Sequence, residues 1–194
     1  MIAIIDYDAG NVKSVQNALK KLGFEAVITS DIETIKKAEK IIFPGVGEAS
    51  SAMKKLKERG LDTIIPNLKQ PVLGICLGMQ LMCNASEEGK TKALGIFDCE
   101  VKLFPNSDIV PHMGWNNVSK MKGKLLENIS EIDNFYFVHS YYAEIGENTS
   151  SVCDYIKNFS ATLEKDNFFA AQFHPEKSGD AGFKLLENFL NVRF

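Results

Sequence analysis

The chain has 194 residues, with 22 Lys+Arg against 25 Asp+Glu and a formal net charge of −3. With 45% hydrophobic and 24% charged residues it has the composition of a soluble globular protein large enough to bury a core, and one domain over residues 1–194 is expected. The slight acidity gives no broad positive field for nucleic-acid phosphates, and no apolar run approaches the roughly 18 residues a membrane helix needs.

The opening MIAIIDYDAG has Asp6 and Asp8 and no basic region, so it reads as a buried first strand rather than a secretory signal. Four cysteines without a C-x-x-C pair argue against a disulfide scaffold and against a cysteine zinc site, and the expected compartment is the cytoplasm.

The first half alternates strand and helix patterns. Ile2–Asp6 is a strand; Val12, Val15, Leu19 and Leu22 then recur at helical spacing, and Gly23 ends that helix as a left-handed cap. Glu25–Thr29 is a strand, Ile32–Ala38 a short helix, and Lys40–Pro44 a third strand. Ala49, Ala52, Met53 and Leu56 form another helical face; Pro71–Ile75 is a fourth strand and Leu77–Asn84 a helix. Such alternation predicts βαβ units and a parallel sheet covered on both sides.

The second half is rich in strands, at Phe97–Phe104, Phe135–Val138, Ser151–Tyr155, Ala161–Glu164 and Phe168–Phe173, with Glu87–Lys92 as a solvated loop. A last helix carries Leu185, Leu186, Phe189 and Leu190 on one stripe, with Asp180 as its expected N-cap. The predicted fold class is α/β: a mixed, mostly parallel sheet flanked by helices, with added antiparallel strands in the C-terminal half.

Gly74-Ile75-Cys76-Leu77-Gly78-Met79-Gln80 follows a strand and opens a helix, in a nucleophile-elbow layout with Cys as the nucleophile. The flanking glycines permit a sharp turn, the sulfur sits at a strand's carboxyl end, and a helix N-terminus below it favours thiolate. Cysteines in general are more often small buried hydrophobes, which is how Cys83, seven positions on, is read.

Phe173-His174-Pro175-Glu176 follows a late strand. On an extended chain His174 and Glu176 share a face, so the carboxylate can accept the Nδ1–H and orient the ring for proton transfer. His139, at a strand end, and His112, in a loop, have no carboxylate two residues away. Pro44-Gly45-Val46-Gly47 follows the third strand, and its peptide N–H groups can complete an oxyanion hole with that of Leu77. Gly-x-Gly without a third glycine is only a weak dinucleotide signal.

Together, G-I-C-L-G-M-Q, H-P-E and P-G-V-G resemble the class I (triad-type) glutamine amidotransferases. The stretch Pro111-His112-Met113-Gly114-Trp115-Asn116, with Asp6-Tyr7, Gly10-Asn11, Phe137-Val138-His139-Ser140-Tyr141 and H-P-E-K-S, narrows the resemblance. It points to the family of glutaminase subunits of imidazole glycerol phosphate synthase and spans nearly the whole chain. Two positions depart from that family's usual pattern: Asp8 stands where glycine is usual, and Gly179 where glutamine is frequent.

The resemblance implies that Cys76 attacks the side-chain amide of L-glutamine, His174 serves as base and then acid, and Glu176 orients it. The N–H groups of Leu77 and of Val46 or Gly47 would hold the oxyanion. Gly45, Gln80, Ser140, Tyr141 and Tyr142 form the implied substrate-binding set, with main-chain groups of 140–142 receiving the α-carboxylate. No metal and no organic cofactor are implied. Ammonia would pass to a (βα)8-barrel cyclase subunit in a heterodimer, which makes imidazole glycerol phosphate and AICAR from PRFAR in histidine biosynthesis. Asn11, His112, Trp115, Asn116 and Lys177 match docking and ammonia-gate positions; Trp115, in a polar setting, is expected at the surface. Two other readings stand beside this one: a paralogue feeding a sugar amidotransferase of surface-glycan biosynthesis, and a catalytically silent regulatory scaffold.

Overall fold

A computed structural model describes residues 1–193; Phe194, the last residue of the expected 1–194 domain, lies outside the described residues. The first strands are β1 (Ile2–Ile5), β2 (Ala26–Thr29), β3 (Lys40–Gly45) and β4 (Val72–Cys76). Helices α1 (Val12–Lys21), α2 (Ile32–Lys37), α3 (Ala49–Glu58), α4 (Leu61–Ile64) and α5 (Leu77–Leu81) connect or follow them. Then come β5 (Ala85–Ser86), β6 (Thr91–Lys92), β7 (Glu100–Leu103), β8 (His112–Asn117), β9 (Asn134–His139) and β10 (Tyr141–Ala143). Strands β11 (Thr149–Asp154), β12 (Asn158–Lys165) and β13 (Phe168–Ala171) lead into the last helix, α6 (Gly179–Asn191).

Seven strands form the main sheet in the order β11-β12-β13-β4-β3-β1-β2. The five from β13 to β2 are parallel; β12 runs antiparallel to β13, and β11 antiparallel to β12. Side chains on a strand alternate between faces, so β1 sends Ile2 and Ile4 into one buried cluster and Ala3 and Ile5 into the other. Leu185, Leu186 and Phe189 of α6 join the first cluster; Ala52, Met53 and Leu56 of α3 join the second. The mixed, mostly parallel sheet with antiparallel additions is thus the observed fold. Among the described residues no helix is long and apolar enough to cross a membrane.

Several local expectations change. Within 97–104 only Glu100–Leu103 is strand, because Phe97 is used in a turn and donates its N–H to the Met82 carbonyl. The segment 87–92 is not simply a solvated loop: Thr91 is buried in β6, and the Glu88 carboxylate accepts the Ala49 N–H at the start of α3. Asp180 lies in the first turn of α6 rather than at its cap; Ser178 occupies that position, and its hydroxyl instead donates to the His174 carbonyl. Helix α5 ends at Leu81, short of Asn84. Gly23 does end α1 with φ +84°.

Candidate active site

Strand β4 ends at Cys76, whose backbone sits at φ 55°, ψ −113° before α5 begins. Side-chain-bearing residues reach such positive φ only when their surroundings impose it. The imposing contacts are visible around the glycines. A Cβ on Gly78 would lie 1.9 Å from the Phe43 carbonyl oxygen, and one on Gly74 would lie 2.4 Å from the Met82 sulfur. Close approach of α5 to β3 and β4, rather than an unusual glycine dihedral, is what both glycines allow. Asp8, where the family resemblance leads one to expect glycine, also takes a positive φ, 61°. Asp8 is held there by an ion pair with Arg59, and its carbonyl accepts Lys55 Nζ at 2.6 Å.

His174 follows β13, the strand paired with β4, so its ring is delivered next to Cys76 although 98 residues separate the two in sequence. His174 is extended, whereas Pro175–Lys177 forms a 3₁₀ turn, so the extended-chain reason for pairing His174 with Glu176 is replaced by a turn. The pair still meets: Nδ1 and Glu176 Oε1 are 2.8 Å apart, and both side chains are almost fully buried. The opposite ring nitrogen, Nε2, is buried with no hydrogen-bond partner. Burial opposes charge on this ring, but the nearby Cys76 sulfur and the Glu176 carboxylate outweigh it and push its pKa up to about 10.

A cavity of about 300 Å³ opens over these groups, lined by Cys76, His174, Leu77 and Gln80, the loop residues Val46 and Gly47, and 138–141. Ser140, Tyr141 and Gln80 therefore stand where the sequence expects substrate contacts. Gly45 and Tyr142 do not line the cavity. Gly45 is packed beneath it, where a Cβ would lie 2.5 Å from the Tyr7 hydroxyl, and Tyr142 stacks on Phe104 in the core at 4.6 Å. The Val46 N–H, expected to face an oxyanion, donates to the Ala9 carbonyl at 3.1 Å instead.

Two groups at the site, Glu88 in the cavity lining and Gln172 buried behind it, escape sequence reasoning. Glu88 is the only carboxylate among the described residues of the lining; burial raises its pKa, against the Ala49 N–H that stabilises its charge. Gln172 is fully buried, accepts from Gln80 Nε2 at 2.9 Å, and its own Nε2 lies 3.9 Å from Cys76 Sγ. Neither sits in a motif with the nucleophile, although Gln172 directly precedes F-H-P-E.

Of the expected docking residues, Trp115 and Lys177 are exposed, with Trp115 at 59%. Asn11 is half-buried and caps α1 by accepting the Ser14 N–H. His112 and Asn116 belong to the other side of β8. His112 opens the strand rather than lying in a loop, and it is buried, so it offers no docking surface; Asn116 is half-buried on the same inward side.

The family profile described as "Glutamine amidotransferase class-I" matches residues 3–192. The chain belongs to this family. Among amidotransferase relatives, the "Imidazole glycerol phosphate synthase subunit HisH" of Bacteroides fragilis (strain YCH46) is 57% identical over 194 residues, covering 98% of this chain and 99% of the relative. The subunit of that name from Bacteroides thetaiotaomicron is 55% identical with the same coverage. "HisH 2" of Methanococcus maripaludis is 49% identical, covering 98% of each. A solved glutamine amidotransferase superposes with TM-score 0.77 at 19% identity, over 98% of this chain and 97% of the other. PurLQS from Thermotoga maritima gives TM-score 0.70 at 18% identity, again over 98% and 97%. Those two structures bear on the amidotransferase fold alone.

Proposed function

We propose that this chain, as one glutaminase domain, is the subunit of imidazole glycerol phosphate synthase that hydrolyses L-glutamine and supplies ammonia to a (βα)8-barrel cyclase. The observation that carries the chemistry is the strained Cys76 at the cavity floor beside the buried, carboxylate-bound His174. The client is supported by near-full-length relatives at 49–57% identity that carry the HisH name.

In this mechanism His174 is the imidazolium that its raised pKa implies, having already taken up the Cys76 proton at Nε2, and the sulfur attacks the substrate's side-chain amide carbon. Glu176 keeps the ring in the orientation that leaves Nε2 facing sulfur and stabilises the imidazolium. The imidazolium then protonates the leaving nitrogen, releasing ammonia and a glutamyl thioester, which water hydrolyses. Glu88 supplies the negative charge suited to the substrate's α-ammonium, and the polar main chain at Ser140 and Tyr141 faces its α-carboxylate end. The Leu77 N–H begins α5, where helix N–H groups lack intrahelical acceptors. The second oxyanion donor requires the Gly45–Val46 peptide to rotate away from Ala9.

A diazo-ketone analogue of glutamine tests the nucleophile. Mass spectrometry should place the adduct on Cys76, leaving buried Cys83 and Cys153 and half-buried Cys99 largely unmodified. Even labelling of all four cysteines, or none at Cys76, would remove the assignment.

A further inference from the structure

Strand β8 exposes Met113, Trp115 and Asn117, and its inward side holds a run of polar contacts whose direction is forced. His139 Nδ1 lies 2.7 Å from the Tyr141 carbonyl oxygen, which can only accept, so Nδ1 carries the proton. Burial drives the His139 pKa down to about 3, so the ring is neutral and Nε2 is bare. That Nε2 is 3.1 Å from His112 Nδ1, which must therefore be the donor. Burial likewise lowers His112 to about 4, leaving its Nε2 as the acceptor for Asn116 Nδ2 at 3.4 Å. The Asn116 amide is oriented independently: Nδ2 also donates to the Asp154 carbonyl at 3.0 Å, and Oδ1 accepts the Asn117 N–H at 2.9 Å.

At the other end, the Tyr141 carbonyl also accepts Gln80 Nε2 at 2.8 Å. Gln80 Nε2 spends its second hydrogen on Gln172, leaving Oε1 as the atom of that amide free for a ligand. The two imidazoles are packed among Phe104, Phe137, Tyr155 and Phe159. Apolar side chains would fill such a site at less desolvation cost, whereas a fully connected polar chain fixes one geometry.

We propose that His112 and His139 are positioning residues, forming a one-directional relay from Asn116 that anchors the Tyr141 carbonyl and, through it, the Gln80 amide in the glutamine cavity. Its kinetic consequence rests on the glutaminase reading above; its tautomers do not.

Nitrogen-15 NMR of imidazole-labelled full-length chain at neutral pH reads the relay directly. Both His112 and His139 should be Nδ1–H tautomers, the form that free neutral histidine disfavours. Nε2–H at either ring overturns the proposal. For the kinetics, His139→Phe keeps an aromatic ring but removes both nitrogens, and should raise KM for glutamine about fivefold, the worth of one neutral hydrogen bond, with little change in kcat. His139→Asn places an amide N–H near the Nδ1 position and should restore most of KM. Equal KM for the Phe and Asn variants would reduce His139 to a packing role and sink the proposal. Absence of glutamate release by the parent chain with its cyclase would instead refute the glutaminase reading, while the tautomers still decide the relay.

Discussion

Cys76 holds a backbone conformation that costs about 1–3 kcal/mol, and the packing of Gly74 and Gly78 against Met82 and Phe43 keeps it there. That arrangement was legible in the sequence, because two glycines at fixed offsets around a cysteine after a strand have few other uses. The pairing of His174 with Glu176 was foreseen, but for the wrong local reason: a 3₁₀ turn at Pro175–Lys177, not an extended chain, brings the carboxylate to the ring. Glu176→Gln should keep the fold and lower glutamine turnover roughly 10²–10⁴-fold by weakening the orientation of the imidazolium. Turnover within about twofold of the parent would show that the 2.8 Å contact is structural only. Gln172 and Glu88 were not legible: Gln172 acts from full burial against Gln80 and Cys76, Glu88 from the cavity wall it reaches, and no local spacing encodes either.

Among the elements, the parallel strands announce themselves as short apolar runs, and α1, α3 and α6 as apolar stripes. Strand β8 does not, because its pattern is inverted. Met113 and Trp115 face outward, whereas His112 and Asn116 face inward. The expectation that apolar residues face inward makes this segment look like a loop, whereas its apolar pair is the side left exposed. The junction of β3 with α5 is the tightest of the elements at the site. A Cβ on Gly45 would meet the Tyr7 hydroxyl at 2.5 Å and the Gly78 nitrogen at 2.8 Å. Gly45→Val should therefore destabilise the chain by about 1–3 kcal/mol, as overpacked cores do, and blunt any rotation of the next peptide. Urea unfolding measures the first and stimulated turnover the second; a variant as stable and as responsive as the parent would contradict both.

On the scale of the whole molecule, no local pattern reveals that β13 inserts beside β4 and carries His174 to Cys76; that comes from the sheet order. Stability should depend on pH on both sides of neutrality. The buried His112 and His139 have lowered pKa values, so their contribution is complete above the unfolded value of 6.5 and is lost as pH falls toward 4 and then 3. His174 is raised to about 10, so its contribution is present below 6.5 and is lost as pH rises through 10. Urea midpoints should fall from pH 7 to pH 5, and less so for His139→Phe; a flat profile would contradict the buried neutral pair.

We propose that this glutaminase is set to work by its partner. The Val46 N–H is bound to the Ala9 carbonyl, and Met113, Trp115 and Lys177 are exposed; we propose that a cyclase docking on that face turns the Val46 peptide toward the oxyanion. Restoring one oxyanion donor is worth about 10²–10³-fold in turnover. The decisive measurement is glutamate release by the purified chain alone, with the barrel cyclase, and with cyclase plus its phosphosugar ligand. The chain alone should be nearly idle, and the liganded complex at least about a hundredfold faster. A lone chain already as fast as the complex would contradict the gate, and a cyclase that never stimulates it would contradict the partner and leave the surface-glycan synthase as the better client.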